Sequence, residues 1–419
     1  MRNLQLGELI STQKGYAFKS KWYCDEGHPI VKVSDFTEDS ISTNALVKIP
    51  NEVAAEYRKY TLNAGDVVIQ TVGSWPSNPA SVVGKTIRVP NTASKALLNQ
   101  NAVKVIPNES LNQAFLFYLL RSSSFKDYII STAQGAASQA SITLDSIKNY
   151  SFFCPEIDVQ SEIALVLEHY DNLIENNNRR IAILEEMAQS LYREWFVKFR
   201  FPGHDQCQMV ESPLGLIPEG WEIYSASDAI QINPKTKLEK KGEKPFLGMS
   251  GLSEASMIIT GVILKEGNSG AKYINGDTLF SRITPCLQNG KIGYVQFLNP
   301  ELPIGFGSTE FIVLRETELC HREFVYLLSR SDSFRSNAIN SMSGATGRQR
   351  VHNACFDTFK LAVPPKEMMS KFTNVVRPMF ENCYNLSRRN ENLKKQRDLL
   401  LPKLISGQID LSLAEQVSA

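Results

Sequence analysis

Stretches of this sequence recur at a nearly fixed distance, and a repeat of this length limits the fold to two related copies of one architecture. Phe117-Tyr118-Leu119-Leu120-Arg121-Ser122-Ser123-Ser124-Phe125 matches Val325-Tyr326-Leu327-Leu328-Ser329-Arg330-Ser331-Asp332-Ser333-Phe334 with one inserted residue, so the phenylalanines stand 209 positions apart. Downstream the register holds without gaps: Gly135 pairs with Gly344, Pro155 with Pro364, and Arg179-Arg180 with Arg388-Arg389, each 209 apart. Upstream it drifts slightly, Gly65-Asp66-Val67-Val68 matching Gly276-Asp277-Thr278-Leu279 at 211. The chain is a tandem duplication.

Each copy has two parts of different character. The first part, residues 1–156 and, with a connector, residues 201–365, alternates short β-branched runs with Gly, Pro and Asn punctuation and reads as α+β. Residues 82–89, 102–106 and 150–154 are expected as strands, and 113–120 and 124–130 carry helical apolar spacing. The second part, residues 157–200 and 366–410, reads as one long helix per copy. Apolar side chains fall at Ile163, Leu167, Tyr170, Ile174, Ile181, Leu184, Ala188, Leu191 and Trp195, in steps of four and three that only Asn177 interrupts. The second copy has Phe372, Val376, Met379, Cys383, Leu386, Asn390, Leu393, Arg397, Leu400 and Leu404 on the same row.

A seam of that period is what two helices need to wind around each other. The sequence therefore predicts an antiparallel coiled coil of the two long helices, separating the duplicated α+β domains with pseudo-twofold symmetry. The alternative is that each helix only covers its own domain. Asn177, Asn390 and Arg397 are polar interruptions of the kind that fix register and orientation. Pro378 is expected to kink the second helix.

At 419 residues, 42% hydrophobic and 21% charged, the composition fits two globular domains and excludes wholesale disorder or a low-complexity chain. A net charge of +1 neither points to nucleic acid nor excludes it, because binding needs a local basic face. The seven cysteines lack a C-x-x-C pair and fit neither a disulfide framework nor a zinc site, so a reducing cytoplasm is expected. The first ten residues lack the regions of a signal peptide, and no stretch approaches the length of a membrane span.

Between the copies, Pro202-Gly203-His204 and Ser212-Pro213-Leu214-Gly215-Leu216-Ile217-Pro218-Glu219-Gly220-Trp221 form a turn-rich connector. This connector resembles the start of the second recognition domain in specificity subunits of Type I restriction-modification enzymes. Three other stretches are similar to that family. They are Pro155-Glu156 with Gln160-Ser161-Glu162-Ile163, Asn172-Leu173-Ile174-Glu175-Asn176-Asn177, and the run from Ile183-Leu184-Glu185-Glu186 to Glu194-Trp195-Phe196. The ending Leu401-Pro402-Lys403-Leu404-Ile405-Ser406-Gly407-Gln408-Ile409 is similar too, and the likeness covers essentially the whole chain. Lys366-Glu367-Met368-Met369 departs from the family, which commonly has Glu-Gln after the proline pair; this bears on partner contact by the second helix.

The resemblance implies a non-catalytic DNA-recognition subunit with two target-recognition domains, each reading one half of an asymmetric, bipartite site on double-stranded DNA. It also implies helices that space the domains and dock two methyltransferase (modification) subunits, with restriction subunits able to join. No cofactor is expected in this chain; S-adenosylmethionine and ATP with Mg would sit on the partner subunits. From Ile163 to Trp195 a helix rises about 48 Å, comparable with the roughly 34–36 Å between major-groove half-sites one turn apart. The near-neutral charge suggests that partners supply part of the phosphate grip.

Base reading needs donors and acceptors on loops that fit a groove, beside amides and cations for phosphate. One loop family follows the helix pair of each copy and offers Gln134, Ser138 and Gln139, then Arg348, Gln349 and Arg350. Gln139 and Gln349 can read adenine, and Arg348 or Arg350 can read guanine or grip phosphate. A solvated surface loop is the plain alternative, and the resemblance favours DNA. A second family follows the Gly-Asp strand: Thr71, Ser74, Trp75, Ser77 and Asn78, then Ser281, Arg282, Thr284, Gln288 and Asn289. Lys14, Tyr16 and Lys19, and later Lys235 and Lys237, are candidate phosphate partners.

Two other signals fail. Gly84-Lys85-Thr86 looks like the end of a phosphate loop, but Pro79 stands where that motif needs glycine, and Gly290-Lys291-Ile292 repeats the pattern as a turn before a strand. The five histidines are scattered without ligand spacing, so no metal site is expected. The rival readings are a self-contained DNA methyltransferase or nuclease, for which no catalytic or nucleotide motif is found, and a coiled-coil scaffold that binds no DNA.

Overall fold

The computed structural model describes residues 2–76, 82–135, 139–345 and 347–409. They fall into two units, residues 1–173 with 392–419 and residues 174–391.

In the first unit, β1 (Arg2–Gln5) pairs antiparallel with β11 (Ser151–Cys154), clasping the start of the α+β part to its end. A four-stranded sheet runs in the order β2 (Ile10–Lys14), β9 (Ala102–Pro107), β5 (Val67–Gln70), β7 (Thr86–Arg88), all antiparallel. Every residue of β5 is buried, as expected for a central strand covered on both faces. A smaller sheet joins β4 (Val47–Ile49), β3 (His28–Val31) and β8 (Leu97–Leu98), and the short strands β6 (Val72–Gly73) and β10 (Ala140–Ser141) pair separately. The residues expected as a strand over 82–89 form one only from Thr86. Gly84 at φ +80° turns the backbone just before it.

The helices are α1 (Asn51–Glu56), α2 (Gln113–Leu119), α3 (Ser123–Ser131), α4 (Leu144–Lys148) and the long α5 (Ile157–Tyr192). The starts of α2, α3 and α4 are set by side chains that satisfy free amides. The Asn112 carbonyl oxygen accepts from Ala114 and Phe115, Ser122 from Phe125, and Thr143 from Ser146. Phe115, Phe117, Tyr118 and Phe125 fill the core, which also takes in Ile163 and Leu167 of α5 and Leu401 and Leu404 near the C-terminus.

The second unit repeats this plan. After the hairpin β12 (Met209–Ser212) and β13 (Gly215–Pro218) come β14 (Glu222–Ser225), α6 (Ala226–Ala229), β15 (Gln231–Ile232), β16 (Glu243–Leu247), β17 (Ile263–Glu266), β18 (Ala271–Ile274), β19 (Thr278–Ser281), β20 (Ile292–Tyr294), β21 (Ile304–Gly307) and β22 (Phe311–Arg315). Then follow α7 (Arg322–Arg330), α8 (Asp332–Asn340), α9 (Cys355–Thr358), β23 (Lys360–Val363) and α10 (Lys366–Ile405). The sheet order β15-β22-β19-β20 copies β2-β9-β5-β7, and β14 clasps β23 as β1 clasps β11. The starts of α7, α8, β22, β23 and α10 lie 209 residues after those of α2, α3, β9, β11 and α5.

The long helices are antiparallel where each unit contains both. In the second unit Trp195 packs on Phe372, the Cys383 thiol points to the Ile181 carbonyl, and Asn177 donates to Asn390 at 2.8 Å. In the first, Arg397 pairs with Asp171. No residue of the expected seam is exposed, including the three polar interruptions. The second helix runs unbroken through Pro378. Both Pro378 and Asn374, whose carbonyl loses a donor, lie on the exposed side, where water can replace that bond.

Glu185 of α5 is buried in the second unit, where it accepts from the Ser256 hydroxyl at 2.7 Å and the Met257 amide at 2.8 Å. Burial raises its carboxyl above the ordinary 4.5, and the two hydrogen bonds and Arg330 only partly oppose this. The folded unit therefore keeps the proton over a window in which the unfolded chain has released it, so stability falls as pH climbs from 4.5 through the raised value. Glu185→Gln, whose amide oxygen can still accept, should remove that slope in denaturant titrations across the acid range. Glu185→Ala should cost about 1–3 kcal/mol by stranding the Met257 amide.

Candidate nucleic-acid interface

The two loop families singled out in the sequence meet in each unit. In the second, the Arg282 amide donates to the Glu310 carbonyl at 3.0 Å, and the Val351 amide to the Arg282 carbonyl at 2.9 Å. The Thr284 amide donates to the Gln349 carbonyl, and the Gln349 amide to the Thr284 hydroxyl, both at 3.0 Å. Ser343 and Arg350 exchange backbone hydrogen bonds and close the 343–350 loop.

The first unit makes equivalent bonds. The Thr71 amide donates to the Asn101 carbonyl at 2.7 Å, the Ile142 amide to the Thr71 carbonyl at 2.9 Å, and Gln134 and Ser141 exchange bonds. Gly135 is required there, because at φ +154° a Cβ would stand 2.1 Å from the Gln139 carbonyl oxygen.

One frame thus carries different side chains. Thr71, Asn101 and Ser141 of the first unit correspond to Arg282, Glu310 and Arg350 of the second. Arg350 grips Glu310 through Nε at 3.0 and 3.1 Å and through Nη2 at 2.6 Å. That hydrogen bonding holds the Glu310 carboxyl below the usual range. Arg282 has a buried Nε with no partner among the described residues. Arg348 is exposed; its amide donates to the Ala345 carbonyl at 2.9 Å, and its side chain has no partner among the described residues.

The 286–290 turn, which carries exposed Gln288 and Asn289, is held from behind. Arg335 donates to the Gln288 carbonyl at 3.2 Å, Arg330 to the Gly290 carbonyl at 2.9 Å, and the Asn289 amide group to Glu254 at 3.1 Å. Lys235 and Lys237 are exposed after β15, and among the described residues no bridge ties them to these loops.

In the first unit Ser74 bridges to Val82, Trp75 is half-buried against the core, and Gln139 is exposed. Asn78, Ser77 and Ser138 lie outside the described residues. Lys14 is exposed, and Lys19 stands 5.6 Å over the Trp22 ring. Tyr16 belongs to a cluster that the sequence did not reveal: its ring lies 4.4 Å from Tyr57 and 5.3 Å from Tyr60, and Lys59 sits 5.0 Å over Tyr60. The Tyr16 hydrogen bond pushes the Tyr57 phenol up to about 12. Glu310, Arg330 and Arg335 were also missed. Arg330 sits in the repeated helix that marks the duplication, which carries no sign of the turn it supports.

A family model for the Type I restriction modification DNA specificity domain matches residues 1–186 and 218–377. The chain belongs to this family. It is similar to the Type I restriction enzyme MjaIX specificity subunit of Methanocaldococcus jannaschii, at 24% identity over 74% of this chain and 72% of that one. It is also similar to the HindI specificity subunit of Haemophilus influenzae, at 23% identity over 84% and 88%. Its fold matches the S subunit of a Type I restriction-modification system from M. genitalium with a TM-score of 0.53 at 16% identity, covering 96% of each chain. Specificity subunits are the non-catalytic components of such complexes. Among the described residues no helix is long and apolar enough to cross a membrane, and no group of three or more His, Cys, Asp or Glu side chains is placed to hold a metal.

Proposed function

We propose that the chain reads a split, asymmetric site on double-stranded DNA, one half by each unit, and docks two methyltransferase subunits, with restriction subunits able to join them. The observation that carries this reading is the shared backbone frame with neutral polar side chains in one unit and a charged set in the other. Two readers of one shape and different chemistry select different bases, so the combined target is not a palindrome.

For docking, α5 exposes Leu165 and Leu173 in the first unit and Ile183 and Met187 in the second. Apolar side chains standing out along a helix favour a protein partner. S-adenosylmethionine and ATP with Mg are assigned to those partners, and the residues here supply binding and orientation only.

The test is selection from randomised duplexes by the chain assembled with its methyltransferase subunits. A split, asymmetric consensus and co-elution of those subunits are expected, and a single continuous palindrome contradicts the reading. Within this scheme exposed Arg348 grips phosphate. Arg348→Ala should weaken binding to all sequences alike and reduce the slope of log K against log salt by about one. An unchanged salt slope removes Arg348 from the phosphate contacts.

A further inference from the structure

We infer that Arg350 reads a guanine in the half-site of the second unit, with Glu310 as its positioning residue; this rests on the DNA-reading function proposed above. A guanidinium has two edges able to make paired hydrogen bonds, and Glu310 occupies the Nε–Nη2 edge. Among the described residues the Nη1 side has no partner, and neither does the second Nη2 hydrogen. That free edge matches O6 and N7 of guanine in the major groove, the most frequent specific contact arginine makes.

Three features separate this role from a phosphate grip. The Arg350 backbone is fixed by two hydrogen bonds to Ser343, with the Arg350 amide donating to the Ser343 carbonyl at 2.9 Å and the Arg350 carbonyl accepting from the Ser343 amide at 3.2 Å. The arginine is the more exposed partner, at 49% against 22% for Glu310, so the carboxylate holds from behind. A carboxylate beside a phosphate-gripping arginine would cancel the charge that makes the grip useful. Beside a base reader it spares the cost of ordering a flexible side chain at the moment of binding. Glu310 is also constrained, because its own carbonyl accepts from the Arg282 amide. The corresponding residues of the first unit, Asn101 and Ser141, cannot form such a pair, so the contact belongs to one half of the site only.

The experiment repeats the duplex selection with the full chain and its methyltransferase subunits. The wild type should select an invariant guanine in one half-site, and R350A should accept any base there while leaving the other half unchanged. Replacing that guanine with 7-deazaguanine, which lacks the N7 acceptor, should weaken the wild type about ten-fold or more and R350A no further. R350K should not restore discrimination, because an ammonium cannot make the paired contact. E310Q should lower discrimination at that base without lowering thermal stability, an effect that a merely structural role would not produce. An unchanged consensus with R350A, or equal weakening on every base at that position, overturns the assignment while the split-site reading stands. Failure of the wild type to select any split site removes both.

Discussion

Arg397→Ala is expected to destabilise the first unit by about 3–5 kcal/mol, the range for breaking a buried ion pair from one side. Arg397 is 4% exposed and Asp171 14%, and the two meet at 2.5 Å where α10 lies against α5. Asp171 also accepts from the Tyr118 hydroxyl at 2.6 Å, and Arg397 binds Asp398 at 2.9 Å. Burial pushes the guanidinium toward neutrality, but the two aspartates overcome this and raise its pKa. Removing the cation leaves a carboxylate against an apolar core with one neutral donor. The complementary change, Asp171→Leu with Arg397→Met and Tyr118→Phe, replaces the pair and the hydroxyl that donates to it by packed apolar groups and should be close to neutral. Urea titration of both variants measures the difference. A loss below about 1 kcal/mol for Arg397→Ala would mean that water reaches Asp171 and that the pair does not organise this end of the seam.

Arg397 also marks how far the sequence could be read. Its seam position was legible because helix periodicity is local: a side chain every three or four residues faces the partner whatever the partner is. The doubled architecture was legible for the same reason, since framework residues recur at one offset in both copies. Partners across the seam were not. Asn177 and Asn390 each read as a polar interruption, and only the antiparallel alignment shows that they satisfy one another. The candidate site divides in the same way. Both loop families were named from glycine, amide and arginine content, but their union depends on backbone bonds such as Ile142 to Thr71 and Val351 to Arg282, which join residues some seventy positions apart. Glu310 precedes a strand without any local signal, and Tyr57 and Tyr60 reach Tyr16 from a helix and turn about forty residues away. The strand expected at 82 begins late because apolar β-branched content outweighed a single glycine in the reading, while in the fold that glycine sets the turn.

Phe372→Ala should cost the second unit about 3–5 kcal/mol. Phe372 is fully buried and meets Phe196 edge-on at 4.6 Å and Trp195 at 5.4 Å, and Phe196 continues to Phe324 at 4.8 Å. The ring therefore ties α10 to the helical turn Arg193–Val197 that follows α5 and, through Phe196, to α7, and truncation opens a cavity that these large, mutually packed rings cannot close by small shifts. Phe372→Leu keeps most of the volume and should lose less. Denaturant titration gives the size of the effect, and amide exchange gives its place, with protection expected to fall in residues 192–197 and 322–330. A cost below about 1 kcal/mol would show that the ring cluster relaxes into the space. Because Phe372 lies inside the frame and away from the reading loops, the fraction that stays folded should select the same bases as the wild type. That outcome is the opposite of the one expected for R350A, which should keep its stability and lose a base. Together the two variants separate the packing that holds the reader in shape from the side chain that reads.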